Sequence, residues 1–267
     1  MAEGIDYSYG SGLSANAMKS AGKHFACRYL ATLPNSKCIN RAEATNLLHA
    51  GLSVVLVWET VADRVLSGHN GGVADAREAD RQATGLGMRG IPLYFACDID
   101  ASPGQQAAIN AYCDGAASVI GRGRTGLYGG YWPVSRAFSA GKIRYGWQTY
   151  AWSGGNLDRR AQLFQYRNGV KLGPADVDLD RSMATDYGQW PRPHAAAPVA
   201  AAKVASLPAG VHQFDGKTTM GDVARSRNYP TTAAWVAHEA DLNAKDTEYM
   251  LSHAVPPKGT YWRVTVR

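Results

Sequence analysis

The sequence predicts an α/β protein, a (β/α)8 barrel of the TIM type followed by a small α/β module. Over residues 1–190, short apolar runs alternate with helix-like stretches, which is the pattern of βα units. Stretches such as RAEATNLLHAG and ADAREADRQATGLG close on a glycine suited to end a helix. After Trp190 the composition changes to a Pro- and Ala-rich stretch without periodicity, which indicates a linker between two domains.

Eight apolar runs in the first part are candidate strands. We place them at residues 4–7, 25–30, 53–59, 93–98, 125–129, 145–150, 162–166 and 175–179. A barrel of this type typically needs ~250 residues, so a domain of 190 must be compact, with some late helices reduced or missing. The gaps after Tyr150 and Tyr166 have room only for loops or single turns.

The predicted domains are therefore a barrel over residues 1–190, a linker over 191–207 and a module over 208–267. In the module, GDVARSRN and TAAWVAHEADLN are helix-like, and TYWRVTVR alternates as a strand does.

Composition narrows the class of partner. The chain has 267 residues, of which 45% are hydrophobic, so it can bury a core. Its 28 Lys and Arg against 22 Asp and Glu give a net charge of +6, which favours polyanionic partners. Without an Arg/Lys run or an aromatic-flanked basic motif, we expect no nucleic-acid binding. We expect a monomer.

The cysteines and histidines predict no metal or cofactor. Cys27 and Cys97 lie in the apolar runs FACRYL and LYFACD, as buried free thiols do. The spacing of the four cysteines matches neither a zinc site nor a disulfide scaffold, and the seven histidines form no close pair.

The amino-terminal MAEGIDYSYG lacks the features of a secretory signal, and no window has the apolar length of a membrane span. We therefore expect synthesis in a cytoplasm without integral membrane association, and release by another agent if the substrate lies outside.

Acidic side chains collect where the predicted strands end, which in a barrel is the catalytic edge. Each acid alone could simply cap a helix or pair with an arginine. Six together are harder to explain that way, because carboxylates desolvated side by side repel and shift one another's pKa values. The candidates are Asp6, Glu59, Asp98, Asp100, Asp178 and Asp180.

Asp98 and Asp100 lie two residues apart on one strand, so they share a face with Cα atoms ~6.6 Å apart. Their carboxyl groups can then approach the roughly 5 to 9 Å separation that glycosidases use.

Aromatic residues also collect at strand ends, where they could stack on the C–H faces of sugar rings. About half should instead pack in the core. They are Tyr7, Tyr29, Trp58, Tyr128, Tyr131, Trp132, Trp147, Tyr150, Trp152 and Tyr166, with Arg28, Gln148 and Gln165 as polar partners. From these sets we predict substrate binding by Tyr7, Arg28, Tyr128, Trp147, Gln148, Gln165, Tyr166 and Asp180.

The motifs GIDYSYG, LYFACDID and LFQYRNGVKLGPADVDLDRS resemble those of family 25 glycoside hydrolases. More closely, residues 1–190 resemble the related glycoside hydrolase-like domain of actinobacteria and their phages. Family 25 enzymes are muramidases. The resemblance gives Asp98 and Asp100 the places of the family's DxE pair, Asp6 its first-strand acid and Asp178 its last-strand acid.

One departure from the family bears on catalysis. The proton donor of family 25 is a Glu, whereas Asp100 is shorter by one methylene. This difference matters because a misplacement of ~1 Å can lower the rate on the order of 100-fold. Either the site is built around the shorter side chain, with Asp100 as donor, or Glu59 is the donor, or the domain binds glycan without cutting it.

The tail resembles a divergent LysM module, which implies binding of glycans that contain N-acetylglucosamine. The elements are TMGDVARSRNYPTTAAWVAHEADLN and PPKGTYWRVTV. A generic small α/β domain is the alternative.

The leading hypothesis is a hydrolase of peptidoglycan, such as a phage endolysin. A catalytically inactive glycan-binding protein is the second, and a transglycosylase or a hydrolase of another surface polysaccharide is the third.

Overall fold

The computed structural model describes residues 1–8, 12–33, 35–192, 211–213 and 261–263. The chain divides into two compact units, Met1–Ala196 and Ala197–Arg267. In the second unit, the described residues form two short antiparallel strands, β9 (Val211–Gln213) and β10 (Tyr261–Arg263). The predicted linker over 191–207 and most of the predicted LysM-like module over 208–267 lie outside the described residues, so both stay predictions.

Eight strands close the first unit into a barrel, each hydrogen-bonded to the next along the chain. This confirms the predicted barrel. The strands are β1 (Glu3–Asp6), β2 (Phe25–Leu30), β3 (Ser53–Trp58), β4 (Leu93–Cys97), β5 (Thr125–Gly129), β6 (Tyr145–Thr149), β7 (Leu163–Leu172) and β8 (Ala175–Ser182).

Helices pack outside the early strands. They are α1 (Ala15–Ser20), α2 (Arg41–His49), α3 (Gly68–Gly85), α4 (Gln106–Ile120) and α5 (Tyr131–Ser139), with short 3-10 turns at Arg64–Ser67, Pro103–Gln105 and Arg122–Arg124. From β6 to β8, where the structure describes every residue, no helix intervenes, so the predicted loss of late helices is confirmed. Among the described helices, none combines the length and the apolar character needed to cross a membrane.

Strand β8 departs from the parallel arrangement expected of βα units. It runs antiparallel to both β7 and β1, and it is longer than predicted. The cause is the connection, because only Gly173 and Pro174 separate β7 from β8. A parallel crossover needs a dozen or more residues, whereas two suffice for a hairpin. Gly173, with φ of 57°, adopts the left-handed conformation that this turn requires.

The lower half of the barrel interior, here called the foot, is apolar and aromatic. Its residues are Phe25, Tyr94, Tyr145, Leu163 and Tyr187, all buried in one cluster. Tyr187 follows β8, and its ring lies 4.8 Å from that of Phe25. The Tyr94 hydroxyl donates to the Tyr187 carbonyl oxygen at 2.8 Å. The segment after β8 thus closes the foot.

A second apolar cluster lies between the strands and the helices. Strand residues that point outward, such as Ile5, Leu56 and Phe95, pack there against helical residues such as Ala79 and Ile109. The four cysteines are buried and unpaired, as expected. The opposite end of the interior from the foot, where β1 to β7 end and β8 begins, is called the mouth.

Candidate active site

Three acids reach the mouth or its floor from two neighbouring strands. Asp6 ends β1, and in the antiparallel register of β8 it faces Asp178, while Gly4 faces Asp180. Because alternate residues of a strand point to the same side, Asp6, Asp178 and Asp180 all point into the barrel. Asp178 was predicted at the carboxyl end of its strand. It reaches the mouth because β8 is antiparallel and begins there.

Hydrogen bonds tie Asp6 to side chains of β2 and β7. The Tyr29 hydroxyl donates to Oδ1 of Asp6 at 2.6 Å, and Nε2 of Gln165 donates to Oδ2 at 2.7 Å. The same Nε2 lies 3.3 Å from Oδ2 of Asp178, so one amide bridges the two carboxyl groups. Oε1 of Gln165 accepts from the Tyr128 hydroxyl at 2.9 Å, which fixes the orientation of the amide.

Burial dominates the electrostatics of Asp6. It is 2% exposed, and burial together with the charge of Asp178 raises its pKa to about 6. The hydrogen bonds from Tyr29 and Gln165 oppose this rise, because they stabilise the carboxylate. Asp6 therefore titrates close to neutral pH, where a group that exchanges protons is most useful.

Asp180 lies beneath Asp6 and is completely buried. Its Oδ1 accepts from the Trp147 indole nitrogen at 2.8 Å, and its Oδ2 has no donor among the described residues. Burial and the charge of Asp6 raise the pKa of Asp180 well above its usual range, so Asp180 keeps its proton to a higher pH than an ordinary aspartic acid does. That proton gives Asp180 the hydrogen atom with which it bonds to Asp6.

Asp178 and Asp98 are the acids of this group that solvent reaches. Asp178 is partly buried, and the Gly169 backbone nitrogen donates to its Oδ1 at 2.8 Å. Burial raises the pKa of Asp178, the Gly169 hydrogen bond lowers it, and the charge of Asp98 raises it. Asp98 follows β4, where its backbone nitrogen donates to the Ala62 carbonyl at 3.0 Å. We call Asp6, Asp98, Asp178 and Asp180 the carboxylate cluster.

Neither of the two rival proton donors makes a hydrogen bond or ion pair with this cluster. Asp100 is exposed, and its side chain makes no hydrogen bond or ion pair with any residue that the structure describes. Glu59 forms an ion pair with Lys37, whose ammonium group also lies 4.3 Å from the centre of the Tyr29 ring. The structure therefore gathers Asp6, Asp98 and Asp178 as expected, without a contact from Asp100 or Glu59 to any of them.

Of the predicted substrate-binding residues, four lie inside the barrel. Tyr128 and Gln165 belong to the mouth, and Trp147 and Asp180 form its floor. The other four are corrected, because their side chains point away from the interior. They are Tyr7, Arg28, Gln148 and Tyr166.

Each of these four has a structural partner outside the barrel wall. Arg28 is completely buried and donates to Glu43 of α2 at 2.7 Å, and Glu43 also accepts from the Tyr7 hydroxyl at 2.7 Å. The Tyr166 hydroxyl donates to Glu3 at 2.6 Å. The Gln148 amide donates to the Asn156 carbonyl at 2.8 Å and holds the loop after β6. The sequence placed them at strand ends, but their parity along each strand turns them outward.

Sequence reasoning included Tyr29 among the strand-end aromatics but assigned it no role. In the structure it is a hydrogen-bond donor to Asp6. The signal was its position: Phe25, Cys27 and Tyr29 alternate along β2, so Tyr29 is the inward residue nearest the mouth.

For metal binding, the described residues contain no group of three or more His, Cys, Asp or Glu side chains placed to hold an ion. What the carboxylate cluster can do is exchange protons and stabilise positive charge, since it combines a group that titrates near neutral pH with reachable acids.

Comparison with known proteins places these observations in a family. The family model of the Rv2525c-like, glycoside hydrolase-like domain matches residues 16–186. Rv2525c of Mycobacterium tuberculosis, whose name describes a candidate peptidoglycan hydrolase, is 30% identical over 201 residues, which are 70% of this chain and 82% of that protein.

Solved structures agree with this match. The crystal structure of the Tat-secreted protein Rv2525c of Mycobacterium tuberculosis in complex with L-tartrate has 28% identity and a TM-score of 0.66, over 71% of this chain and 98% of that one. The spore cortex lytic enzyme SleM of Clostridium perfringens has 14% identity and a TM-score of 0.50, over 69% and 68% of the two chains. The second likeness shows a shared fold.

Proposed function

The chain belongs to the Rv2525c-like family, which is defined by a glycoside hydrolase-like domain, and from this premise we propose that it hydrolyses the glycan strand of bacterial peptidoglycan. The bond we assign is the one after N-acetylmuramic acid, by resemblance to the muramidases of family 25. The expected setting is that of an endolysin acting at the cell wall.

One observation carries the proposal, namely the bridging of Asp6 and Asp178 by the Gln165 amide at the mouth of the barrel. Burial of these acids raises both pKa values. Glycoside hydrolysis requires a proton for the leaving oxygen and a negative charge near the oxocarbenium-like transition state. Two neighbouring acids with raised pKa values, next to the negative charge of a third acid, provide both.

Within this mechanism we assign delivery of the proton to Asp178. Asp6 is almost inaccessible, whereas Asp178 is reached from solvent, and a sugar ring lying over it would bury it further and raise its pKa. Asp98, whose charge acts on Asp178, supplies the negative charge near the transition state. Asp6 and Gln165 hold Asp178 in place, and Asp180 beneath them keeps Asp6 hydrogen-bonded.

Measurement of reducing ends released from purified peptidoglycan tests this function. Asp178→Asn should lower turnover by roughly 100-fold or more, because the amide keeps the size of the side chain and removes its acidic proton. Asp176→Asn is the matched control, since Asp176 lies two residues away on the same strand, exposed and paired with Lys171 at 2.8 Å. Mass spectrometry of the products identifies which sugar carries the new reducing end.

The same assay separates the three candidate donors. Asp100→Asn tests the residue that the family 25 resemblance selects, and Glu59→Gln tests the residue held by Lys37. We expect both variants to keep more activity than Asp178→Asn. If Asp100→Asn alone abolishes turnover, the assignment by resemblance is correct and the assignment of Asp178 is wrong.

The exposed position of Asp100 favours a second candidate, a glycan-binding protein without hydrolytic activity. If the wild-type chain sediments with peptidoglycan but releases no reducing ends from it, this candidate replaces hydrolysis.

A further inference from the structure

Three large aromatic side chains are exposed on two segments beside the mouth. They are Trp132, Tyr150 and Trp152, which are 44%, 46% and 41% exposed, and we call them the platform. By contrast, the strand residues Trp58 and Trp147 are buried. Exposed apolar surface in one patch marks a binding site more often than isolated exposed residues do.

The platform is continuous with the carboxylate cluster. Tyr150 follows β6, and its backbone nitrogen donates to the carbonyl of Gln165, the residue whose amide bridges Asp6 and Asp178. Trp132 lies at the start of α5, which meets the loop after β6. There the Tyr131 backbone nitrogen donates to the Ser153 hydroxyl at 2.9 Å.

The loop that carries Tyr150 and Trp152 is fixed by buried polar groups. The Ser153 hydroxyl, 1% exposed, donates to the Thr149 carbonyl at 2.6 Å. The Gln148 side chain donates to the Asn156 carbonyl and accepts from the Asp158 backbone nitrogen, both at 2.8 Å. These bonds hold the loop at both ends. Its exposed side chains therefore lose little conformational entropy when they bind a ligand.

Trp152 has a strained backbone. Its φ is 54°, the only positive φ of a non-glycine residue in the described part of the chain. For such a residue this conformation is unfavourable by about 1–3 kcal/mol and persists only where surrounding bonds enforce it, which they do here. The position would suit glycine better for stability, so the indole ring itself is the feature that needs an explanation.

We propose that the platform binds a sugar ring of the glycan strand whose scissile bond lies over the carboxylate cluster, an inference that rests on the proposed function. The C–H face of a pyranose ring stacks on an exposed indole or phenol ring, while the rim of the site supplies polar partners. Arg136, within 5.5 Å of the Trp132 ring, and Asn156 are such partners. The occupant is a saccharide because the platform continues directly into acids suited to glycoside hydrolysis.

The test uses the full chain and soluble, uncross-linked glycan strands released from peptidoglycan by an amidase. Trp152→Gly removes the indole at a backbone conformation that glycine accepts, and Trp132→Ala removes the second indole. The double variant should raise KM about 10-fold or more with little change in kcat, because it removes contacts made equally in the ground and transition states. Trp132→Phe should restore part of the loss.

Leu157→Ala is the matched control, because Leu157 is an exposed apolar residue on the same loop and lies outside the platform. It should leave KM unchanged. Direct binding of the same strands to the Asp6→Asn chain, with and without the double substitution, measures affinity where cleavage is suppressed.

The outcomes separate the two proposals. If the wild type cleaves the strands and the double variant has the same KM and affinity, the platform inference is wrong and the proposed function stands. If the wild type binds without cleaving and the double variant loses that binding, the platform inference holds and hydrolysis fails. If the wild type neither binds nor cleaves, both fail.

Discussion

The foot and the mouth of the barrel are lined by the same strands, yet opposite kinds of side chain fill them. At the foot, Phe25 and Tyr187 pack ring against ring, and the hydroxyl of Tyr94 is satisfied by a carbonyl. At the mouth, Asp6 and Asp180 lie buried side by side, and burial raises the pKa of each. The foot therefore stabilises the fold, and the mouth reduces its stability in return for groups that exchange protons.

Phe25→Ala tests the foot and should have the largest effect. Its ring is completely buried, and removing a buried ring destabilises a protein by about 3–5 kcal/mol. We expect the midpoint of urea unfolding to fall while the activity of each folded molecule, measured at low temperature, stays near that of the wild type. If the folded molecules of Phe25→Ala also lost activity, the foot and the mouth would not be independent.

Asp6→Asn tests the mouth, where we expect activity to fall and stability to be kept. Because it removes a group with a pKa of about 6 and the negative charge that holds Asp178 through Gln165, it should lower kcat by roughly 100-fold. The free energy of unfolding should not fall, since the asparagine relieves a buried charge. Circular dichroism and urea unfolding, with Asp176→Asn as the control, check both halves of this expectation.

The foot and the barrel could be predicted from the sequence, because apolar runs of strand length and helix-like stretches between them report burial directly. The orientation of β8 could not, although the two residues between Leu172 and Ala175 contain the answer once the ends of the strands are known. Strand ends are the least certain part of any such prediction. An error of one residue also exchanges the two faces.

The residues of the mouth could be predicted only in part. Asp6 and Asp98 lie at the mouth because β1 and β4 end there, as the sequence predicts, whereas Asp178 reaches it because the antiparallel β8 begins there. Arg28 was placed in the cleft because it lies among strand residues, but its alternation with Cys27 and Tyr29 turns it outward to Glu43. The bridging of two acids by Gln165 depends on register across three strands, which no local pattern encodes.

Asp180→Asn removes one buried acid from the mouth and should therefore stabilise the protein. The native state holds a proton on Asp180 that the unfolded chain releases above its ordinary pKa, so this group lowers stability as pH rises from about 4 toward neutral. The asparagine can still accept from Trp147 and donate to Asp6. We expect a gain of about 1 kcal/mol at neutral pH and a smaller gain near pH 4. Thermal unfolding at the two pH values measures the difference, and an equal gain at both would contradict a proton on Asp180.

The smallest expected effect is a shift of the pH–rate profile in Tyr29→Phe. The Tyr29 hydroxyl donates to Asp6 and lowers its pKa, so its removal should raise that pKa above about 6. Because the mechanism requires a proton on the pair formed by Asp6 and Asp178, activity should decline as pH rises through their raised pKa values. In Tyr29→Phe that alkaline limb should move to higher pH, by roughly one unit or less, with little loss at the optimum. A limb that moves to lower pH would mean that Asp6 acts only as a carboxylate, and the proton would then have to come from outside this pair.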